Sequence, residues 1–151
     1  METILINAHS VLRYAVLLFG LYAITKAARG LFLKQDYTSN HRLSATLLVA
    51  SVHLQIVIGL VLYFLRGWAA NWSKMGEIMG STYQRFWTME HLVGMLLGAA
   101  LIQIGSSKSK RQSETAKKHK TALTFFVLGF LVIFLSIPWP FRGEIARALW
   151  P

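Results

Sequence analysis

Cysteine is absent, and only 3 prolines and 6 acidic residues occur among 151. Without cysteine there is no disulfide, no thiolate nucleophile, no iron–sulfur ligation and no covalently attached c-type haem. The redox compartment therefore leaves no trace in the sequence. Charge is scarce as well: 15% of residues are charged, where a soluble domain carries about 25%. No serine lies in a nucleophile motif, and no glycine-rich loop is placed to cradle a phosphate. What fills the space is apolar. Hydrophobic residues make up 54% of the chain, and the mean hydropathy is +0.46. A soluble enzyme, a disordered tail and a secreted disulfide scaffold are all excluded by that balance.

Four segments are long and apolar enough to cross a hydrocarbon core of about 30 Å, which takes about 20 residues of helix. They run from about 8 to 28, 43 to 65, 83 to 105 and 121 to 139. None alternates as a barrel strand does, and four strands cannot close a barrel. The first lacks the basic flank and cleavage site of a signal peptide, so it is expected to remain in the mature protein. The expected fold is all-α: one domain over 1–151, a four-helix transmembrane bundle of up-down topology. The connections are too short for a second domain.

The net charge of +10 suggests nucleic acid in a soluble protein. Here the cations lie beside apolar runs, and membrane topology explains them more simply. Lys26, Arg29, Lys34 and Arg42 lie between the first two spans; Lys108, Lys110, Arg111, Lys117, Lys118 and Lys120 lie between the last two. The other side holds Arg66, Lys74, Arg85, Arg142 and Arg147, mixed with Glu2, Glu77, Glu90 and Glu144. Ten against five puts both basic loops in the cytoplasm and both termini outside. The loop 106–120 reads as a retention signal that meets anionic head groups, not as a nucleic-acid tail. In the connection 66–82, Trp68, Trp72, Met75 and Met79 recur at helical spacing, as in a segment lying flat on the outer interface.

Ionisable side chains inside spans are costly and usually face the bundle interior. His9 and Arg13 share one face of the first helix, one turn apart, on a stripe continued by Val16, Gly20, Ala23 and Ala27. Glu90 and His91 lie on the third helix, with Gly94 and Gly98 in a G-x-x-x-G pair on the His91 face. That pair has two readings: close helix contact, or room for a flat macrocycle beside the histidine. In an up-down bundle the first and third helices are diagonal partners, so His9 and His91 face each other in the outer half. Two imidazoles so placed are the axial set of a six-coordinate haem b, with Arg13 free to meet a propionate or Glu90. Zinc or copper on His9, His91 and Glu90 is a further possibility.

His53 lies deeper, near the midplane, and is an alternative ligand in place of His9. Its stripe (Thr46, Ala50, His53, Val57) and the stripe of Ser44, Ser51, Gln55 and Gly59 cannot both face the bundle. One of them is left for a quinone, a lipid or a neighbouring subunit. His41 and His119 sit at the cytoplasmic ends and read as ordinary interfacial residues. Ala122, Gly129 and Ser136 read as packing on the fourth helix, which Pro138 ends.

The set His9-Ser-Val-Leu-Arg13, His53-Leu-Gln55 with Gly59, Glu90-His91 with Gly94-Met95, and Ile137-Pro-Trp-Pro140 resembles a family of small bacterial four-helix membrane proteins labelled cytochrome b-like. The resemblance spans nearly the whole chain. The resemblance implies a small protein of the bacterial inner membrane. Three histidines in the spans, one intramembrane arginine and glycines beside a histidine support a haem b protein moving electrons between a quinol and an outer-face partner, alone, as a homo-oligomer or within a respiratory complex. Better-known haem b carriers with this plan hold two stacked histidine pairs. Only one pair is expected here, hence at most one haem, near the outer face. The competing reading is a cofactor-free accessory subunit held together by an Arg13–Glu90 pair.

Overall fold

The computed structural model describes residues 1–150, and among them every regular element is helical. Four helices are long and apolar enough to cross a membrane: Glu2–Phe32, Ser39–Leu65, Thr82–Arg111 and Thr115–Ser136. They are apolar on all sides, the mark of a helix with lipid around it. Outward-facing Leu18, Phe64 and Leu135 are each about two-thirds exposed. These side chains face the bilayer, where exposure carries no hydrophobic cost.

The helices run longer than the apolar stretches of the first three spans, because hydrogen bonding continues through interfacial residues. The fourth stops sooner, at Ser136, since the residue before a proline is driven out of the α region and Ile137 is extended (ψ 135°). Thr38 starts the second helix through a capping box with His41. Ser81 starts the third, its hydroxyl accepting the Gln84 N–H at 3.3 Å. One irregularity interrupts the third helix: Phe86–Glu90 forms a π turn immediately before His91. Such turns are rare and cluster at functional sites.

The first helix packs on the second and fourth, and the third packs most extensively on the fourth. A Cβ on Gly98 would lie 2.9 Å from the Gly129 carbonyl oxygen, and one on Gly129 would lie 2.8 Å from that of Gly98. The two backbones therefore touch, as small residues allow in membranes. Contact between the second and third helices is the thinnest of the neighbouring pairs. The shared core runs through Val16, Ala23, Leu48, Ile102, Phe126 and Ile133.

Both termini lie at one end of the bundle, the terminal end; the two short basic connections lie at the other, the basic end. At the terminal end the connection 66–82 forms a 3-10 segment, Trp68–Lys74, and a single α turn, Met75–Ile78, in place of one flat helix. Polar ties to the bundle explain the tighter winding. Trp72 Nε1 donates to Tyr63 Oη at 2.5 Å, Tyr63 Oη donates to the Thr88 carbonyl at 2.8 Å, and Asn71 Nδ2 donates to Thr88 Oγ1 at 3.2 Å. After Ile137 the chain turns back over the same end, with Gly143 at a positive φ of 60° and the Arg147 N–H donating to the Pro138 carbonyl at 3.0 Å.

Candidate functional site

His9 and His91 come together. Their ring centres lie 6.4 Å apart with planes crossed at 72°, on the diagonal helices. Each is held differently. His91 Nδ1 lies 2.8 Å from the Ser136 carbonyl oxygen; a carbonyl only accepts, so Nδ1 carries the proton and Nε2 keeps its lone pair. Trp87 and Phe86 flank that ring at 5.5 and 5.6 Å, delivered by the π turn. His9 rests against Gly59 of the second helix, where a Cβ would come within 2.9 Å of its Cε1. Gln55 Nε2 donates to the His9 carbonyl at 3.0 Å. His9 Nδ1 is buried with no hydrogen-bond partner, a situation costing about 1–3 kcal/mol unless something fills it.

Both rings line a cavity of about 300 Å³ between the helices of the terminal end. Its wall is mainly apolar (Leu17, Ile56, Leu60, Leu92), with Gln55, Tyr63 and Arg13 as polar points. Arg13 is buried. Its Nη2 donates to the Leu149 carbonyl at 2.5 Å, Tyr14 Oη donates to the same oxygen, and its Nε has no partner. The Trp150 ring lies tilted beside Tyr14, 5.9 Å between ring centres. The C-terminal segment thus covers the mouth, with Arg147 Cζ 4.9 Å from the Trp87 ring centre. Apolar pockets with a few converging polar groups are the usual form of a ligand site.

Several sequence-level assignments change. His53 lies on the outward face of the second helix with Thr46, Ala50 and Val57, all exposed, while Ser44, Ser51, Gln55 and Gly59 face inward. It is no alternative to His9, because the Gln55/Gly59 stripe takes the contact with the first helix. Gly94 and Gly98 leave no room beside His91: a Cβ on Gly94 would meet Ser136 Oγ, and Gly98 is closed by Ile133 and the Gly129 carbonyl. Both glycines serve the fourth helix. Glu90 pairs with Arg85, Nε to Oε1 at 2.6 Å, so the Arg13–Glu90 pair is not formed. Nor do His9, His91 and Glu90 make a metal cluster; no group of three His, Cys, Asp or Glu able to hold an ion occurs among the described residues.

His41 and His119 are not ordinary interfacial residues either. They are buried, at 7% and 0% exposure, with ring centres 4.7 Å apart at the basic end. His119 lies directly over Gly30, where any Cβ would overlap its ring; this small surface explains how a histidine sinks so far.

Reading the sequence missed Ser136, Tyr63, Trp87, Arg147 and Trp150. The first carries a backbone carbonyl that no side-chain pattern reveals. Arg147 and Trp150 reach the site through the returning tail. Trp87 stands four residues before His91, a spacing that was available to notice. No family model, no curated protein and no solved structure matches the chain.

Proposed function

We propose that the protein is a b-type haem protein of the bacterial inner membrane, holding iron between His9 and His91 and passing electrons between a quinol and a partner at the outer face. The observation that carries this reading is the separation of the two rings. Metal–imidazole bonds of about 2.0–2.1 Å are short enough that one ion would reach both rings only across a narrow gap. The 6.4 Å between the His9 and His91 ring centres supports this reading. Fixing of the His91 Nδ1 proton by a backbone carbonyl is the outer-sphere arrangement common to metal-bound histidines, and it leaves Nε2 as the donor. His9 lacks this outer-sphere partner, since its buried Nδ1 meets no protein acceptor.

Haem b bound there supplies one-electron chemistry. Arg147 and Arg66, which line the cavity toward its terminal end, suit propionates at the aqueous rim better than the deeper Arg13. The apolar wall suits a lipophilic reductant. A porphyrin exceeds the 300 Å³ available, so the cavity would have to widen to seat one. That volume favours a second reading, a quinone head group alone, hydrogen-bonded by Arg13 or a histidine.

The test is the reduced-minus-oxidised spectrum and the haem content of protein purified from membranes. A b-type α band is expected, lost with His91→Ala, falling several-fold with His9→Ala and unchanged with His53→Ala. A colourless preparation that also fails to take up haemin overturns the haem reading, and bound quinone in its lipid extract then supports the second.

A further inference from the structure

We propose that the His41–His119 pair at the basic end binds one water molecule, which accepts from His41 Nε2–H and donates to His119 Nδ1. The protonation pattern follows from the backbone. The Thr38 N–H donates to His41 Nδ1 at 3.2 Å within the capping box, so that nitrogen is an acceptor and Nε2 carries the proton. His119 Nε2 lies 3.0 Å from the Gln35 carbonyl oxygen; it must be the donor, and Nδ1 is left with a bare lone pair. Both remaining nitrogens, His41 Nε2 and His119 Nδ1, are buried without a partner. One is a donor and the other an acceptor, on rings 4.7 Å apart.

Beside them lies a void of about 10 Å³, lined by His41, His119, Tyr37 and Ser44 with alanines and Phe126. A space of about that size holds a single water when two to four polar groups converge on it. The two imidazoles supply two. Tyr37 closes the site, stacked on His41 at 5.5 Å and tilted against His119 at 5.3 Å.

A metal ion fits the same nitrogens less well. It needs a lone pair on His41 Nε2, which moves the proton to Nδ1 and strands the Thr38 N–H at the start of the second helix. The water instead completes a bridge between the second and fourth helices, which are diagonal across the bundle.

Nitrogen-15 NMR of the histidine-labelled full chain in lipid nanodiscs tests this. Both histidines should be protonated at Nε2 only, with a cross-peak between bound water and the His41 Hε2 proton that disappears in His119→Ala. Three results overturn the proposal: a His41 protonated at Nδ1, direct coupling of His41 Hε2 to His119 Nδ1 without water, or stoichiometric zinc or copper by elemental analysis. The wild-type spectra decide the matter even if the variant fails to fold.

Discussion

The two ends of the bundle each bring two histidines together, and they do opposite things with them. At the terminal end the rings stand 6.4 Å apart beside about 300 Å³ of open space. At the basic end they stand 4.7 Å apart beside about 10 Å³. The difference lies in the neighbours. Around His41 and His119 the helices carry Ala23, Ala27, Gly30, Ala45 and Ala122 and close tightly. Around His9 and His91 large side chains, Trp68, Trp87 and Trp150 among them, prop the helices apart and roof the gap. The volume of the residues beside a histidine pair thus decides whether it borders open space or is closed in.

The largest expected effect tests which end faces which compartment. With an impermeant thiol reagent on intact cells, Ser73→Cys at the terminal end should label and Ser113→Cys in the basic loop should not; both positions are exposed. The reverse pattern inverts the assignment of the cavity to the outer face.

A smaller effect separates the two glycines beneath the histidines. In Gly30→Ala the new methyl overlaps the whole His119 ring, and overpacking of this kind costs about 1–3 kcal/mol. In Gly59→Ala it meets one edge of His9, 2.9 Å from Cε1, and that ring has a cavity to move into. Alanine also gains about 0.5–1 kcal/mol over glycine within a helix. Thermal unfolding in micelles should therefore show a clear loss for Gly30→Ala and little or none for Gly59→Ala. The latter should instead lower haem or ligand occupancy. Equal losses in stability would mean that the terminal cavity is as tightly packed as the basic end.

The smallest effect belongs to His53→Leu. Because that side chain faces outward, the substitution should leave stability and ligand content within error. A measurable change would point to a partner chain on that face of the second helix.

The long helices were legible because lipid demands apolar residues over a fixed length, and the sequence shows where that demand is met. The stripe of His9, Arg13, Val16, Gly20, Ala23 and Ala27 was legible for a similar reason: helical spacing alone puts these residues on one face. The diagonal meeting of His9 and His91 followed from topology. The choice between the two stripes of the second helix did not, since each is small or polar and only the partner's shape decides. The burial of His119 depends on a glycine 89 positions earlier in the chain, a pairing that no local pattern contains. Glu90 was misjudged because its partner, Arg85, is brought near by a π turn rather than by α spacing.

That turn has a consequence of its own. A π turn takes up one residue more than the α helix around it needs, so the two halves of the third helix are out of phase by about 100°. The half after it takes its phase from Gly94 and Gly98 against the fourth helix; the half before it, Thr82–Arg85, takes its phase from Tyr83 against Trp68 and Arg147 of the roof. Phe86–Glu90 is the joint at which these two packings are reconciled. Deleting a single residue there would make the helix regular and force one set of contacts to give way. The roof, anchored by fewer contacts, would be the one to turn, carrying Trp87 off the His91 ring while the histidine kept its place against Ser136.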